Sequence, residues 1–160
     1  LILSLESHFP EGDVGIFLSF LLNYERLQPG EVIFTGPNVV HAYLSGELVE
    51  VMAPSDNVVR VALTSKYRDT ATLLQLCKFE PKGVTRVTPR PLGVGQAEYR
   101  FPVREFRFRT IRIDAEVEGF GVAFLLHGRG GANGVEIGCG DALLIPHGER
   151  MNIQLEAESL

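Results

Sequence analysis

The sequence predicts a mainly β protein, and two features of the residue order support this prediction. Seventeen glycines and nine prolines interrupt the 160-residue chain, and they separate short apolar runs in the way that β-sandwiches and barrels require. The runs occur in both halves, so we expect strands at residues 16–27, 31–34, 40–44, 48–52 and 58–63, and at 106–113, 121–127, 135–137, 142–145 and 151–155.

One segment has helical spacing instead of strand spacing. Within residues 70–79, Leu73, Leu74 and Cys77 fall on one side of a helix. Asp69 precedes this segment as a candidate N-cap, as does Thr70 itself. We therefore expect one short helix at 70–79.

Four prolines mark the middle of the chain, where apolar periodicity is weak. They lie within residues 81–102, and this composition favours an extended connector. The sequence thus predicts a first module at 1–80 and a second module at 103–160.

Charge and cysteine content exclude several classes of protein. The chain has 15 basic and 20 acidic side chains, a net charge of −5, so we expect no nucleic-acid partner. The longest apolar stretch, 14–22, is too short to cross a bilayer, and we expect no membrane partner. Cys77 and Cys139 form no paired motif, which is typical of a reducing compartment, and we expect a cytoplasmic protein.

The stretch that begins at His41 carries the densest group of reactive side chains. A two-residue turn at Ser45 and Gly46 places His41 opposite Glu50 on antiparallel strands, and alternation puts Tyr43 on the same face. An imidazole, a phenol and a carboxylate on one face suit a metal site or acid–base catalysis. Glu50 then either orients a metal-bound His41 or acts directly on a substrate.

A second group of charged residues follows this stretch. Arg60 interrupts the apolar run 58–63, and an arginine that faces inward needs an anion or a carboxylate such as Asp56 or Glu50. Lys66 adds another positive charge. These residues predict an anion-binding pocket beside His41, which suits a phosphorylated small molecule.

A short pattern occurs once in each half of the chain. Residues 30–35 and 140–145 both contain a glycine, an acidic residue and an apolar strand, and a corner with Pro and Gly follows each. Eleven positions after the leading glycine stand His41 in the first copy and Met151 in the second. The pattern resembles the second motif of cupin β-barrels, which implies that His41 is a metal ligand.

Longer runs resemble type I mannose-6-phosphate isomerase across essentially the whole chain. The most specific of them are HAYLSG at 41–46 and SDNVVR at 55–60, and FPEGDVG at 9–15 and LTSKYRD at 63–69 continue the match. The resemblance implies a cupin fold, with the second part of the catalytic jelly-roll barrel followed by a C-terminal barrel.

The family's chemistry is the zinc-dependent interconversion of mannose 6-phosphate and fructose 6-phosphate through an enediol. By matching position, the resemblance implies that His41 is a zinc ligand and that Arg60 is catalytic. It also implies that Tyr43, Asp56 and Lys66 bind the substrate, with Lys66 near the phosphate.

The general base and the role of the acids stay open in the sequence. Glu50 is the leading candidate for the base and Asp56 is the second. Both carboxylates also have a structural alternative, in which they only neutralise Arg60.

The zinc ligands are incomplete in this sequence. A zinc site takes about four ligands, and the resemblance implies that a Gln-x-His pair and a Glu supply the others from an N-terminal region before a helical domain. Residues 1–40 contain no Gln-x-His pair, and His8 is isolated. We therefore expect the chain to be the C-terminal part of such an isomerase, inactive alone and completed by a missing N-terminal part. The alternatives are a non-catalytic cupin module that binds sugar phosphates and a purely structural barrel.

Overall fold

The chain divides into two units. The computed structural model describes residues 1–78 and 82–156. The first unit consists of Leu1–Thr88 and Phe101–Phe106, and the second consists of Pro89–Arg100 and the described chain from Arg107 onward.

Three short helices and eleven short strands make up the described structure. The helices are α1 (Ile2–His8), α2 (Val14–Leu18) and α3 (Thr70–Leu76). The strands are β1 (Val32–Phe34), β2 (Thr85–Val87), β3 (Arg90–Gly93), β4 (Gln96–Tyr99), β5 (Phe108–Ile111), β6 (Ala115–Glu118), β7 (Gly121–Phe124), β8 (Arg129–Ala132), β9 (Val135–Gly138), β10 (Ala142–Ile145) and β11 (Arg150–Leu155).

The first unit contains one small sheet, in which β1 pairs with β2 in antiparallel fashion. The side chain of Arg86 on β2 contacts Glu25 at 2.9 Å and Glu31 at 3.0 Å. A row of aromatic rings extends the apolar side of this sheet, because Phe101 lies 6.0 Å from Phe34 and 5.4 Å from Phe106 between ring centroids.

Asp13 links the start of α2 to a distant loop. Its carboxylate accepts hydrogen bonds from the amides of Gly15 at 2.8 Å and Leu63 at 3.0 Å, and Arg68 contacts it at 3.2 Å. Burial raises the pKa of Asp13, but the two amides and the Arg68 charge outweigh burial, and the pKa is lowered overall. One side chain thus caps a helix and holds residues 50 positions away.

We expect Asp13→Ala to lower the free energy of unfolding by about 1–2 kcal/mol at pH 7, because it removes a helix cap and a tertiary contact. A carboxyl whose pKa is depressed in the folded state stabilises the protein above its ordinary value of 3.8 and loses this effect as pH falls through the folded pKa. The loss should therefore shrink as the pH falls below 3.8. Urea unfolding across pH tests this, with the exposed Glu11→Ala as a matched control; an equal loss in both variants would contradict the role of Asp13.

The second unit contains three antiparallel sheets, with strand orders β3-β4-β5, β10-β7 and β6-β11-β8-β9. Its core is formed by Val117 from β6, Ile145 from β10 and Ile153 from β11. Each of these strands alternates inward apolar residues with exposed ones, as expected for sheets with one buried face.

The repeat noted in the sequence has the same local geometry in both copies. Gly30 and Gly140 both have positive φ angles, 84° and 95°, which glycine adopts without a Cβ penalty. In each copy the following acid closes the turn, because Glu31 accepts from the amide of Gln28 and Asp141 from that of Gly138, both at 2.7 Å. Strand β1 follows the first turn and strand β10 follows the second, so the two copies share one turn structure before the strand.

The structure confirms the mainly β class and the short helix. α3 spans Thr70–Leu76, and Asp69 caps it by accepting from the amide of Thr72 at 3.0 Å; Phe79, the last residue of the predicted helix, lies outside the described residues. The predicted strands at 31–34, 106–113, 121–127, 135–137, 142–145 and 151–155 correspond to β1, β5, β7, β9, β10 and β11. Among the described residues the strands form no closed barrel.

The strand predicted at 16–27 is wrong. Asp13 caps α2, which begins just before this run. Turns follow the helix, in which the amides of Phe20 and Leu21 donate to the carbonyls of Phe17 and Leu18. The apolar residues of this run fit the helical period as well as the strand period, and the cap by Asp13 favours the helix at its start.

The strands predicted at 40–44, 48–52 and 58–63 are also wrong, and so is the hairpin at Ser45-Gly46. In the described structure these residues have no regular secondary structure, and apolar side chains such as Leu48 and Met52 are exposed. A strand needs a neighbouring ladder for its amides and carbonyls, and these runs pair with none of the strands described here.

The predicted connector contains regular structure. Strands β2, β3 and β4 all lie within 81–102, and its residues from 82 on are described. The division into modules at 1–80 and 103–160 stays a prediction. No helix among the described residues has the length and apolar character needed to cross a membrane.

Candidate functional site

His41 is held by a contact with its own backbone. Its Nδ1 lies 2.9 Å from the carbonyl oxygen of Val39. A carbonyl only accepts hydrogen bonds, so Nδ1 carries the proton in this contact and the lone pair lies on Nε2. This is the arrangement that orients an imidazole to bind a metal through Nε2.

Tyr43 connects His41 to a carboxylate. The two rings meet edge to face with centroids 5.6 Å apart, and the Tyr43 hydroxyl donates to Oε1 of Glu50 at 2.8 Å. Burial, followed by the hydrogen bond to Glu50 and its negative charge, raises the pKa of Tyr43 to about 12. The phenol therefore stays protonated at neutral pH and acts as a donor to Glu50.

Arg60 lies in a groove of about 360 Å³ on the first unit. Asp56 lines the same groove, together with Tyr67, Asp69 and Thr72. Asp69 also caps α3, and hydrogen bonds from the Thr72 amide and hydroxyl lower its pKa. The groove thus presents one guanidinium and two carboxylates to solvent.

The structure brings five of the six predicted site residues into two groups and leaves Lys66 apart. His41, Tyr43 and Glu50 form the first group, and Asp56 and Arg60 share the groove. Lys66 is exposed and is not among the residues that line the groove. Its backbone amide donates to the Thr64 hydroxyl at 3.1 Å.

Reasoning from the sequence missed Tyr67, Asp69 and Thr72 as lining residues of the groove. Asp69 was considered only as a helix cap, and Tyr67 stands beside it in the LTSKYRD run. The predicted start of the helix at Asp69 or Thr70, close in sequence to the predicted anion pocket, could have indicated that these residues line it.

The described residues do not complete a metal centre. Residues 1–78 and 82–156 contain no group of three or more His, Cys, Asp or Glu side chains that could hold a metal ion. His41 offers one imidazole nitrogen, whereas a zinc site takes about four ligands.

Comparison with known proteins gives a consistent result. No family model matches the sequence. A probable mannose-6-phosphate isomerase from Echinococcus multilocularis is 43% identical over 144 residues, 81% of this chain. Mannose-6-phosphate isomerase 2 from Arabidopsis thaliana is 34% identical, and its match covers 99% of this chain. The chain is a homologue of mannose-6-phosphate isomerase.

The similarity extends over only part of these isomerases. The chain spans 33% of the Echinococcus multilocularis protein and 38% of the Arabidopsis thaliana protein. This chain therefore corresponds to about a third of a mannose-6-phosphate isomerase.

Solved structures of mannose 6-phosphate isomerase share the fold. The Salmonella typhimurium enzyme bound to substrate (f6p) and a zinc atom matches with a TM-score of 0.78 and 29% identity, over 96% of this chain and 42% of that chain. A zinc-bound holo structure matches with a TM-score of 0.79 over the same shares. The mainly β architecture is thus that of part of a mannose 6-phosphate isomerase.

The Tyr43–Glu50 contact predicts a late tyrosine titration. Burial and the contact with Glu50 together hold the folded-state pKa of Tyr43 above the ordinary value of 10.0. The protonated phenol therefore stabilises the protein below pH 10, and this effect is lost as pH rises through about 12. Glu50→Gln should lower the pKa of Tyr43 only in part, since burial persists. Tyrosinate absorbance tests this, with Tyr43→Phe identifying the signal among the four tyrosines; a Glu50→Gln titration that matches the original protein would contradict the contact.

Proposed function

We propose that this chain is part of a zinc-dependent enzyme that interconverts mannose 6-phosphate and fructose 6-phosphate. The observation that carries the proposal is the group of His41, Tyr43 and Glu50, in which an imidazole, a phenol and a carboxylate meet. The 34% identity to an isomerase across 99% of the chain supports it, as does the likeness to an enzyme bound to substrate and zinc.

His41 is the zinc ligand that this chain supplies. The contact of Nδ1 with the Val39 carbonyl leaves Nε2 to bind the metal. The other ligands come from the N-terminal part of the enzyme, which lies outside the 160 residues. Zinc, when bound, polarises substrate oxygens.

Glu50 is the proposed general base. The hydrogen bond from the Tyr43 hydroxyl orients the Glu50 carboxylate. Glu50 takes the proton from C2 of mannose 6-phosphate and returns it to C1, while the proton of the C2 hydroxyl passes to the C1 oxygen by way of the enediol, so the isomerisation needs no oxidant. Asp56 is the second candidate, although it lines the Arg60 groove and not the His41 group.

Arg60 and Lys66 handle the negative charges of substrate and intermediate. Arg60 stabilises the charge that develops on the enediol oxygens, and its groove is large enough for a sugar phosphate. Lys66 interacts with the phosphate, and Tyr43 and Asp56 contact the sugar. The free thiols Cys77 and Cys139 support a cytoplasmic location.

A non-catalytic sugar-phosphate-binding module is the second candidate function. His41, Tyr43 and Glu50 are not among the residues that line the Arg60 groove, which favours such a module because it needs the anion site and no metal. It predicts that sugar phosphates bind while no isomerisation occurs.

The experiment is a chimera in which this chain replaces the matching part of the Salmonella typhimurium enzyme. A coupled assay then follows conversion of mannose 6-phosphate to fructose 6-phosphate. We expect zinc-dependent turnover from the chimera and none from the 160-residue chain alone. A folded chimera that binds zinc and sugar phosphate without turnover would contradict the isomerase and favour the binding module.

A further inference from the structure

A carboxylate is buried under arginines in the second unit. Glu98, on the central strand β4, is 2% exposed. Its Oε1 accepts from Nε of Arg100 at 2.7 Å, and its Oε2 contacts Nη2 of Arg109, on β5, at 3.3 Å. Neither arginine is buried, with side chains 63% and 43% exposed.

The strand register adds a third arginine to this face. Arg90 on β3 is the partner of Glu98 across the β3-β4 ladder, and Arg109 is its partner across β4-β5. Directly opposite residues project from the same face of a sheet. Two guanidiniums contact the carboxylate, and the register places Arg90 on the same face. With these four residues counted, the face carries a net charge of about +2.

Glu98 holds these arginines in place without exhausting their donors. A guanidinium has five N–H groups, and in the described structure Arg100 donates to Glu98 through Nε alone. The hydrogen bond from Arg100 lowers the pKa of Glu98, burial raises it, and the charges of Arg100 and Arg109 lower it further, so the carboxylate stays ionised. The side chains are thus ordered before any ligand arrives, which reduces the entropy lost on binding.

We propose that the arginine face of the β3-β4-β5 sheet, formed by Arg90, Arg100 and Arg109 around Glu98, binds a phosphate dianion. Guanidinium groups bind phosphate oxygens through paired hydrogen bonds. The Glu98 carboxylate offsets one of the three arginine charges. The two positive charges that remain match the two negative charges of the phosphate dianion. The site includes none of the residues that form the proposed isomerase site.

Titration of the 160-residue chain with inorganic phosphate, at constant ionic strength, tests the proposal. Nitrogen-15 NMR of the arginine Nε–H signals reports binding, and chloride serves as the comparison anion. We expect saturable shifts at Arg100 and Arg109 with phosphate and none with chloride. Shifts that do not saturate, or that chloride reproduces, would overturn the proposal.

Three substitutions identify the site. We expect Arg100→Ala to weaken phosphate binding about tenfold or more, and Arg100→Lys to weaken it less, because each hydrogen bond to a charged group contributes strongly. Arg112→Ala is the matched control, since Arg112 follows β5 on the opposite face by alternation and its loss changes the net charge equally. We expect it to change the affinity less than about twofold.

Two further outcomes would overturn the proposal. Equal weakening by Arg100→Ala and Arg112→Ala means a general charge effect, and the arginines then serve only to neutralise Glu98. Loss of binding in Arg60→Ala, with Arg100→Ala unaffected, assigns the phosphate to the groove of the first unit. If Arg100→Ala unfolds by circular dichroism, Arg100→Lys gives the decision, because it keeps the charge and loses the planar fork.

Discussion

Arg60→Ala in the chimera is expected to reduce kcat/KM for mannose 6-phosphate by about 100- to 1,000-fold, the usual cost of removing one donor that stabilises a developing oxyanion. The guanidinium lies in the groove with Asp56 and Asp69, and among the described lining residues Arg60 carries the positive charge that offsets negative charge on a substrate. Steady-state kinetics of the purified chimera measure the effect. Most of the loss should appear in kcat, because the interaction strengthens in the transition state.

Arg104→Ala is the control for this substitution. Arg104 is exposed on the same unit and lines neither the groove nor the His41 group, so the net charge changes equally. We expect its kcat/KM to stay within about twofold of the original. Equal kcat/KM in the two variants would mean that Arg60 is not catalytic. If the affinity for sugar phosphate were also unchanged, the groove would have only a structural role.

His41→Ala is expected to weaken zinc binding in the chimera by more than about 100-fold, since loss of even an outer-sphere partner costs about 10- to 100-fold. Turnover should fall in parallel and should not return when zinc is added at concentrations that saturate the original chimera. Zinc titration with a chromogenic chelator measures the affinity. The physical reason is the loss of the Nε2 lone pair that the Val39 carbonyl contact orients.

His147→Ala separates ligand loss from a general histidine effect. His147 is exposed and occupies the corner of the second repeat copy, where the position equivalent to His41 is Met151. We expect zinc affinity and turnover to be unchanged in this variant. Zinc retained by His41→Ala with full affinity would mean that another residue is the ligand.

Strands β5, β7, β9, β10 and β11 of the second unit were predictable from the sequence, whereas β3, β4, β6 and β8 were not predicted as strands. The alternation at 142–145 and 151–155 reflects one buried face, with Ile145 and Ile153 in the core, and the partners of β10 and β11 lie within 45 residues of them. Short antiparallel pairings of this kind leave a clear period-two signal.

The first unit was less predictable because a strand-like pattern does not show whether a neighbouring strand is present to pair with it. Residues 40–63 alternate in the manner of strands, yet apolar side chains such as Leu48 and Val58 are exposed, and these residues belong to none of the described sheets. At the start of 16–27 the chain forms the end of helix α2, which the Asp13 carboxylate caps, instead of the predicted strand. Neither the absence of a partner strand nor the strength of a cap can be read from hydrophobic periodicity.

The grouping of the candidate site was predictable only in part. The hairpin that was expected to bring His41 and Glu50 together does not form, but both residues still meet Tyr43. The lining of the groove by Tyr67 and Asp69 depends on where α3 begins relative to Arg60. Tertiary placement of this kind is not encoded in the spacing of the motifs, and the roles of these residues stay predictions.

Zinc stoichiometry, measured by elemental analysis after exhaustive dialysis, tests the central claim most directly. The claim is that this chain supplies His41 to a zinc site that it does not complete. We expect about one zinc per molecule of the chimera and none on the 160-residue chain alone, because the described residues contain no cluster of three ligands. About one zinc held tightly by the chain alone would contradict the account, since the site would then be complete without the rest of the enzyme.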